Sequence, residues 1–170
     1  MGLTYTRGLS NPNRLIAYAD ADWATCPETR RSISGYCTIL NGAAVAWKSK
    51  KQGAVATSSS EAEFVSASRA ADEIVWERRL LASLHLPQHA PTPLYEDNRA
   101  CRLMSENPVN RERSKHIDYR VHALRDRVSA GEVTLIDCAS RDMVADPLTK
   151  NLPAEAYLRH RDTQLGRTSC

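Results

Sequence analysis

Residues 15–47 read LIAYADADWATCPETRRSISGYCTILNGAAVAW, and this stretch decides the fold. Leu15 to Asp20 is a run of strand length, apolar until its last residue, which is a carboxylate. A polar connection containing Cys26-Pro27-Glu28 follows, then a β-prone run from Ile33 to Leu40, then Asn41-Gly42, then a third run from Ala43 to Trp47. Asn-Gly between two β-prone runs is the strongest short hairpin signal, because both residues tolerate the positive φ of a type I′ turn. Three antiparallel strands are therefore expected before any helix, with Asp20 closing the first.

Downstream the period changes. From Ser59-Ser60-Glu61 to about Leu84, residues Phe64, Ala67, Ala71, Ile74 and Val75 fall on one side at helical spacing, and a serine just before the helix can cap its exposed amides. Glu63 lies at the edge of that apolar stripe, so its carboxylate points toward the sheet. The segment His89-Ala90-Pro91-Thr92-Pro93 breaks the helix and leads into a fourth strand, Leu94-Tyr95-Glu96-Asp97. A short helix from Arg99 to Ser105 stops at Asn107-Pro108. A longer one covers His116 to Ser129, with Ile117, Val121, Leu124 and Val128 on one face, and ends at Gly131. Glu132 to Cys138 alternates as a fifth strand, and from Asp142 the chain returns to helix, interrupted by Pro147 and Pro153. Strands one, four and five are joined by helical crossovers and should run parallel. The expected domain is residues 15–152, with a lead-in or linker at 1–14 and a helical extension or tail at 153–170.

Four carboxylates mark the ends of these elements: Asp20 and Asp97 at strand ends, Glu63 on the first long helix, and Asp146 in the last helical stretch. Asp20 and Asp97 would end adjacent parallel strands at one edge of the sheet, where open α/β sheets place their sites. Acids gathered there can hold two Mg²⁺ ions, hard cations that take oxygen ligands. Such a pair, roughly 4 Å apart, activates a water and stabilises the leaving oxygen of a phosphodiester.

Composition narrows the classes. The chain has 170 residues, 42% hydrophobic and 25% charged, which suits a single globular core, and no apolar run has the length of a membrane span. Its beginning has neither the layout of a signal peptide nor that of an Arg-rich targeting helix. Five cysteines at wide, irregular spacings argue against a zinc site or a disulfide framework and for a reducing compartment. Cys37 and Cys138 read as small buried hydrophobes of strands. The net charge of +3 becomes +7 once the four acids are set aside as neutralised by metal. Basic groups cluster at Arg30-Arg31, Lys48 to Lys51, Arg111 to Lys115 and Arg159 to Arg161, and a polyanion would meet several at once.

The strings YADADWATCPETRRSISGY (18–36), AVAWKSKKQGAVATSSSEAEF (44–64), LYEDNRA (94–100), NPVNRERSKHID (107–118) and VADPLTKNL (144–152) stand in one order. In that order they resemble the ribonuclease H domain at the C-terminal end of copia-type retrotransposon Gag-Pol polyproteins, over roughly Ile16 to Leu152. The resemblance implies an α/β ribonuclease H-like fold: a five-stranded mixed sheet of order 3-2-1-4-5 with flanking helices. It implies endonucleolytic cleavage of the RNA strand of RNA–DNA hybrids with two Mg²⁺ ions, for which Mn²⁺ substitutes. The implied setting is a polyprotein whose reverse transcriptase region is a partner, with no membrane. The expected location is the cytoplasm, inside a virus-like particle if the element is active, with the nucleus as the alternative.

Residue by residue, the resemblance carries the catalytic and metal-ligating roles to Asp20 rather than Asp22, Glu63 rather than Glu61, Asp97 and Asp146. Helix geometry agrees on the second choice, since Glu61 lies about 200° around the helix from Glu63. Ser59, Ser60 and Asn98 resemble polar groups that touch the 2′-hydroxyl or the backbone of a hybrid. Capping and turn roles are their structural alternatives. Arg113 and Lys115 would bind phosphate near a helix start. His116, within SKHID, could assist product release, because the stretch after the fifth strand carries no histidine; the other histidines, His85, His89, His122 and His160, read as surface residues. Trp47 could flank the groove with Lys48, although a strand-end tryptophan is more often core. Thr25 stands where glycine is usual, and Pro147 constrains the backbone beside Asp146. A catalytically silent nucleic-acid- or protein-binding module derived from a retroelement is the reading from another class. An integrase-like enzyme fits less well, since its glutamate comes on a late helix.

Overall fold

The first strand, β1 (Ile16–Asp22), pairs antiparallel with β2 (Ile33–Leu40), which pairs antiparallel with β3 (Ala43–Lys51). On its other side β1 pairs parallel with β4 (Thr92–Glu96), and β4 pairs parallel with β5 (Val133–Asp137). The sheet order is 3-2-1-4-5, a five-stranded mixed sheet of α/β type, as expected from the sequence. This computed structural model describes residues 2–6, 12–101 and 115–167, and for residues 115–119 and 121 it describes the backbone only.

Turn chemistry sets the β2–β3 register. Asn41 and Gly42 both have positive φ, 51° and 87°, as a type I′ turn requires. A register shift between Thr38 and Ile39 adds one irregularity to the pairing. Helix α1 (Ser59–Ser83) crosses one face of the sheet, joined there by α2 (Lys115–Ser129). Ala17 and Ala19 of β1 and Leu94 of β4 share one buried cluster with Phe64, Ala67, Ala71 and Ile74 of α1. The alanines on both sides let helix and sheet approach closely, and Phe64, large and fully buried, fills the space beside them. Leu124 of α2 closes this layer. On the opposite face Cys37, Ile39 and Val144 form a smaller cluster against Ile16, Tyr18 and Leu148. There Tyr18 and Tyr95 stack with ring centroids 4.8 Å apart.

After β5 the chain makes two short 3₁₀ turns, Ser140–Asp142 and Asp146–Leu148, and then α3 (Ala154–Leu165). The segment before β1 is tied to α3 and to the β2–β3 turn: Thr4 N–H donates to Leu165 O at 2.9 Å and Thr6 N–H to Asn41 O at 2.9 Å. Gln164 of α3 donates to Val144 O at 2.9 Å.

Several local expectations change. The third strand runs on to Lys51, because pairing with β2 continues through polar residues that carry no apolar pattern. Of the two readings of Trp47, the core one fails: it is 58% exposed on the edge strand. His160, expected at the surface, is buried midway along α3. Burial pulls its imidazole below the ordinary value. Cys37 is buried as expected and its thiol is pushed up to about 12, whereas Cys138 lies just past β5 and is half-buried. The short helix begins at Arg99, and its remainder lies outside the described residues.

Candidate active site

β1 delivers Asp20 to the sheet end where α1 begins, opposite Gly35 of β2. Ser66 of α1 ties this corner together, its Oγ lying 2.8 Å from Asp20 O and 3.1 Å from Gly35 O. Gly35 is needed for space: a Cβ there would meet Thr149 Cγ2 at 2.6 Å and Leu148 Cβ at 2.8 Å. Its bare backbone lets the 146–150 segment lie against β2 beside Asp20. Glu63 comes from the second turn of α1, whose N-cap is Ser58, accepting from Glu61 N–H at 3.2 Å. Asp97 follows the last residue of β4.

These three carboxylates converge. Asp20, Glu63 and Asp97 each offer an oxygen within 4.8 Å of the others. Asp20 and Glu63 are only 1% and 7% exposed, while Asp97 is half-buried. Asp146, first residue of its 3₁₀ turn with Pro147 behind it, is buried but stands outside that group of three. Lys150 connects it to the rest, with Nζ 2.9 Å from Asp146 Oδ1 and 3.4 Å from Asp20 Oδ1. Thr149 Oγ1 donates to Asp20 Oδ2.

The electrostatics follow from burial and like charge. Burial first, then the charges of Asp20 and Asp97, push Glu63 up to about 9. Asp146 rises to about 6, burial and Asp20 outweighing the relief from Lys150. For Lys150 burial acts downward, but the Asp146 contact and the charges of Asp20, Asp146 and Asp97 raise it above its ordinary value. Glu63 Oε2 is buried without a hydrogen-bond partner among the described residues. An all-carboxylate donor set, an orphaned buried oxygen and an excess of negative charge over one ammonium fit hard divalent cations such as Mg²⁺.

The remaining sequence candidates divide. Glu61 turns back to Thr57, accepting from its N–H at 2.8 Å and from its hydroxyl at 2.5 Å, so it faces the helix start and not the acids. Asp22 ends β1 half-buried, raised by burial, and is not in the group of three. Ser59 is exposed and Ser60 half-buried at the opening of α1; the capping role expected of this serine run belongs to Ser58. Asn98 Oδ1 accepts from Cys101 N–H at 3.1 Å, which makes it the cap of the helix starting at Arg99. Arg113 lies outside the described residues. Lys115 and His116 belong to the backbone of α2, and their side chains lie outside the description.

Three participants escaped the sequence reading. Thr149 and Lys150 stood inside the string VADPLTKNL, but nothing local tells that they reach back to Asp20. Glu96 is the third: 1% exposed, it is raised well above the ordinary carboxylate value by burial and by the charges of Glu63 and Asp97. Period-2 alternation was its signal, since Glu96 shares a strand face with Leu94, which packs under α1.

The fold is that of the ribonucleases H. A ribonuclease H1 from a compost metagenome superimposes with a TM-score of 0.58 at 15% identity, covering 81% of this chain and 93% of its own. A foamy viral protease-reverse transcriptase, solved in complex with an RNA/DNA hybrid, gives a TM-score of 0.59 at 12% identity over 88% of this chain and 21% of its own. No family model matches the chain. Curated relatives do: the retrovirus-related Pol polyproteins of transposons RE2 and RE1 of Arabidopsis thaliana are each 36% identical over 147 residues, 86% of this chain. That of transposon TNT 1-94 of Nicotiana tabacum is 34% identical over 143 residues. The chain belongs to the copia-type retrotransposon Pol polyproteins, of which it spans about a tenth of the length, 10% for RE2.

Proposed function

We propose that this chain is the ribonuclease H domain of such a polyprotein and hydrolyses the RNA strand of RNA–DNA hybrids endonucleolytically. The convergence of Asp20, Glu63 and Asp97 from three separate elements to within 4.8 Å carries this reading. Two divalent cations, Mg²⁺ or in its place Mn²⁺, would lower the pKa of an attacking water and neutralise charge on the departing 3′ oxygen. Asp20, Glu63, Asp97 and Asp146 would hold them through carboxylate oxygens. With Ser66, Thr149 and Gly35 fixing the Asp20 corner, the oxygens of Asp20, Glu63 and Asp97 are already gathered at one sheet end. No protein nucleophile is required.

Ser59 and Ser60 border the opening of α1 beside Glu63, a position suited to reading a 2′-hydroxyl, which donates and accepts. Asn98 borders the other side. Arg113, Lys115 and His116 are proposed contacts to phosphate and, for His116, an aid to product release. The relatives are Pol polyproteins, so the reverse transcriptase region of the same polyprotein is the proposed partner and the cytoplasm, in a virus-like particle, the proposed location. Among the described residues no helix is long and apolar enough to cross a membrane.

Incubation of the purified chain with an RNA–DNA hybrid and Mg²⁺ tests the reading. The expected result is that RNA is cut, that chelation abolishes the cut and that duplex DNA is spared. Equal cleavage of hybrid and duplex DNA would end the assignment. Hybrid affinity should fall as salt rises, because bound basic groups release counterions. His116→Ala should slow steady-state turnover while leaving single-turnover cleavage unchanged; unchanged rates in both assays would return His116 to a structural role.

A further inference from the structure

Lys150 has a place in the acid cluster that the proposed hydrolysis does not use. It follows Asp146 by one helical turn, and its own N–H donates to Asp146 O at 3.1 Å, so the tight turn after Pro147 sets where its stem begins. The stem brings Nζ between two buried carboxylates, 2.9 Å from Asp146 Oδ1 and 3.4 Å from Asp20 Oδ1. The other Asp20 oxygen is taken by Thr149 Oγ1. Thr149 is held in turn, its Oγ1 3.1 Å from Asp146 O. Asp20 and Asp146 would repel across this gap without a cation, and one ammonium supplies a single positive charge.

We infer that Lys150 is a built-in counter-cation that occupies the point shared by Asp20 and Asp146 and competes there with a divalent ion. This rests on the reading of the acids as metal ligands.

Two physical facts make the contact a competition. Nζ stands 2.9 and 3.4 Å from the two oxygens, and Mg²⁺ takes carboxylate oxygens at about 2.0–2.1 Å, so an ion held by both oxygens would claim space the ammonium fills. Nζ must therefore leave before one ion can be held by both. Nζ also has a route out: the Lys150 side chain is 34% exposed, against 1% for Asp20 and 8% for Asp146, and a flexible four-carbon stem can carry its charge to water. The consequence is a graded site. Asp20, Glu63 and Asp97 take a first ion with Lys150 in place, whereas an ion between Asp20 and Asp146 pays for the displacement of the lysine and binds more weakly.

Calorimetric titration of the full chain with Ca²⁺, compared with Lys150→Met, Lys150→Arg and Arg79→Met, tests this. Thermal melts in chelator establish that each variant is folded. The expected result is two binding events in the wild type, the weaker one tightening about tenfold or more in Lys150→Met. Lys150→Arg, which keeps the charge, stays close to wild type, and Arg79→Met, an exposed charge deletion on α1, leaves both events unchanged. Equal or weaker second-event affinity in Lys150→Met overturns the inference while leaving the metal site intact. Tightening to the same degree in Arg79→Met also overturns it, since general charge would then be the cause. Absence of any Ca²⁺ or Mg²⁺ binding in all four proteins would instead sink the metal reading itself.

Discussion

Helix α1 carries two buried glutamates on nearly the same side, about four turns apart, and they live in opposite circumstances. Glu63 is 7% exposed and Glu77 5%, and burial pushes both upward, Glu63 to about 9 and Glu77 to about 7. Around Glu77 the fold supplies a donor: Thr38 Oγ1 of β2 gives it a hydrogen bond at 2.7 Å, and neighbouring Glu73 is engaged by Tyr36 OH at 2.7 Å. Around Glu63 it supplies more acids, Asp20 and Asp97, and although Oε2 of each glutamate is buried without a hydrogen-bond partner among the described residues, only Glu63 lies in a cluster of acids that could share a metal. A buried carboxylate is therefore not by itself a sign of chemistry. What distinguishes the two is whether the surrounding groups answer the charge or add to it.

Exchanging each glutamate for its amide breaks this comparison most sharply. Glu63→Gln should lower hybrid cleavage by more than about 100-fold, since it removes a direct ligand where even supporting residues are worth 10–100-fold. Glu77→Gln should leave cleavage unchanged. Comparable losses in both would mean that burial on α1, and not convergence of acids, governs activity. Asp97→Asn belongs with Glu63→Gln and should remove activity while the melt is retained.

A second test moves the frame and not the acids. Gly35→Ala places a methyl against Thr149 and Leu148, an overpacking worth about 1–3 kcal/mol, and should push the Lys150-bearing segment off Asp20. Cleavage should fall more than stability does. An active variant with an unchanged melt would show that the 146–150 segment need not rest on β2.

The pH response sharpens the Glu77 half. Its value is raised from 4.5 to about 7 by burial, then eased by Thr38 and raised again by Glu73. A raised acid stabilises the fold fully below its unfolded value, and that contribution is lost as pH climbs through the folded value. The wild type should thus lose up to about 3 kcal/mol through this group between roughly pH 4.5 and pH 7. Glu77→Gln should flatten that loss in melts run across the range with chelator present; parallel curves for the two proteins would contradict it. Smallest of all is Glu61→Gln, which keeps an acceptor for Thr57 and should cost a few tenths of a kcal/mol in stability and nothing in cleavage.

Much of this was legible locally. Asn41-Gly42 announces its turn because only certain residues tolerate positive φ, and the apolar stripe of α1 announces a helix against a sheet because 3.6-residue spacing has few other uses. The four acids were legible because family strings carry them in order. Glu96 was passed over because its string was read for Asp97, and His160 because no motif surrounds it.

The sequence by itself determined the elements, their order and the residues with the chemistry to bind a hard cation, since turns, caps and periodicity depend on neighbours in the chain. Only the tertiary structure decided which acids meet and that Thr149 reaches Asp20 from 129 residues away. Such contacts depend on which faces of the sheet are covered and by what. A side chain's burial and partners come from elements far off in sequence, and no local pattern encodes the distance between them.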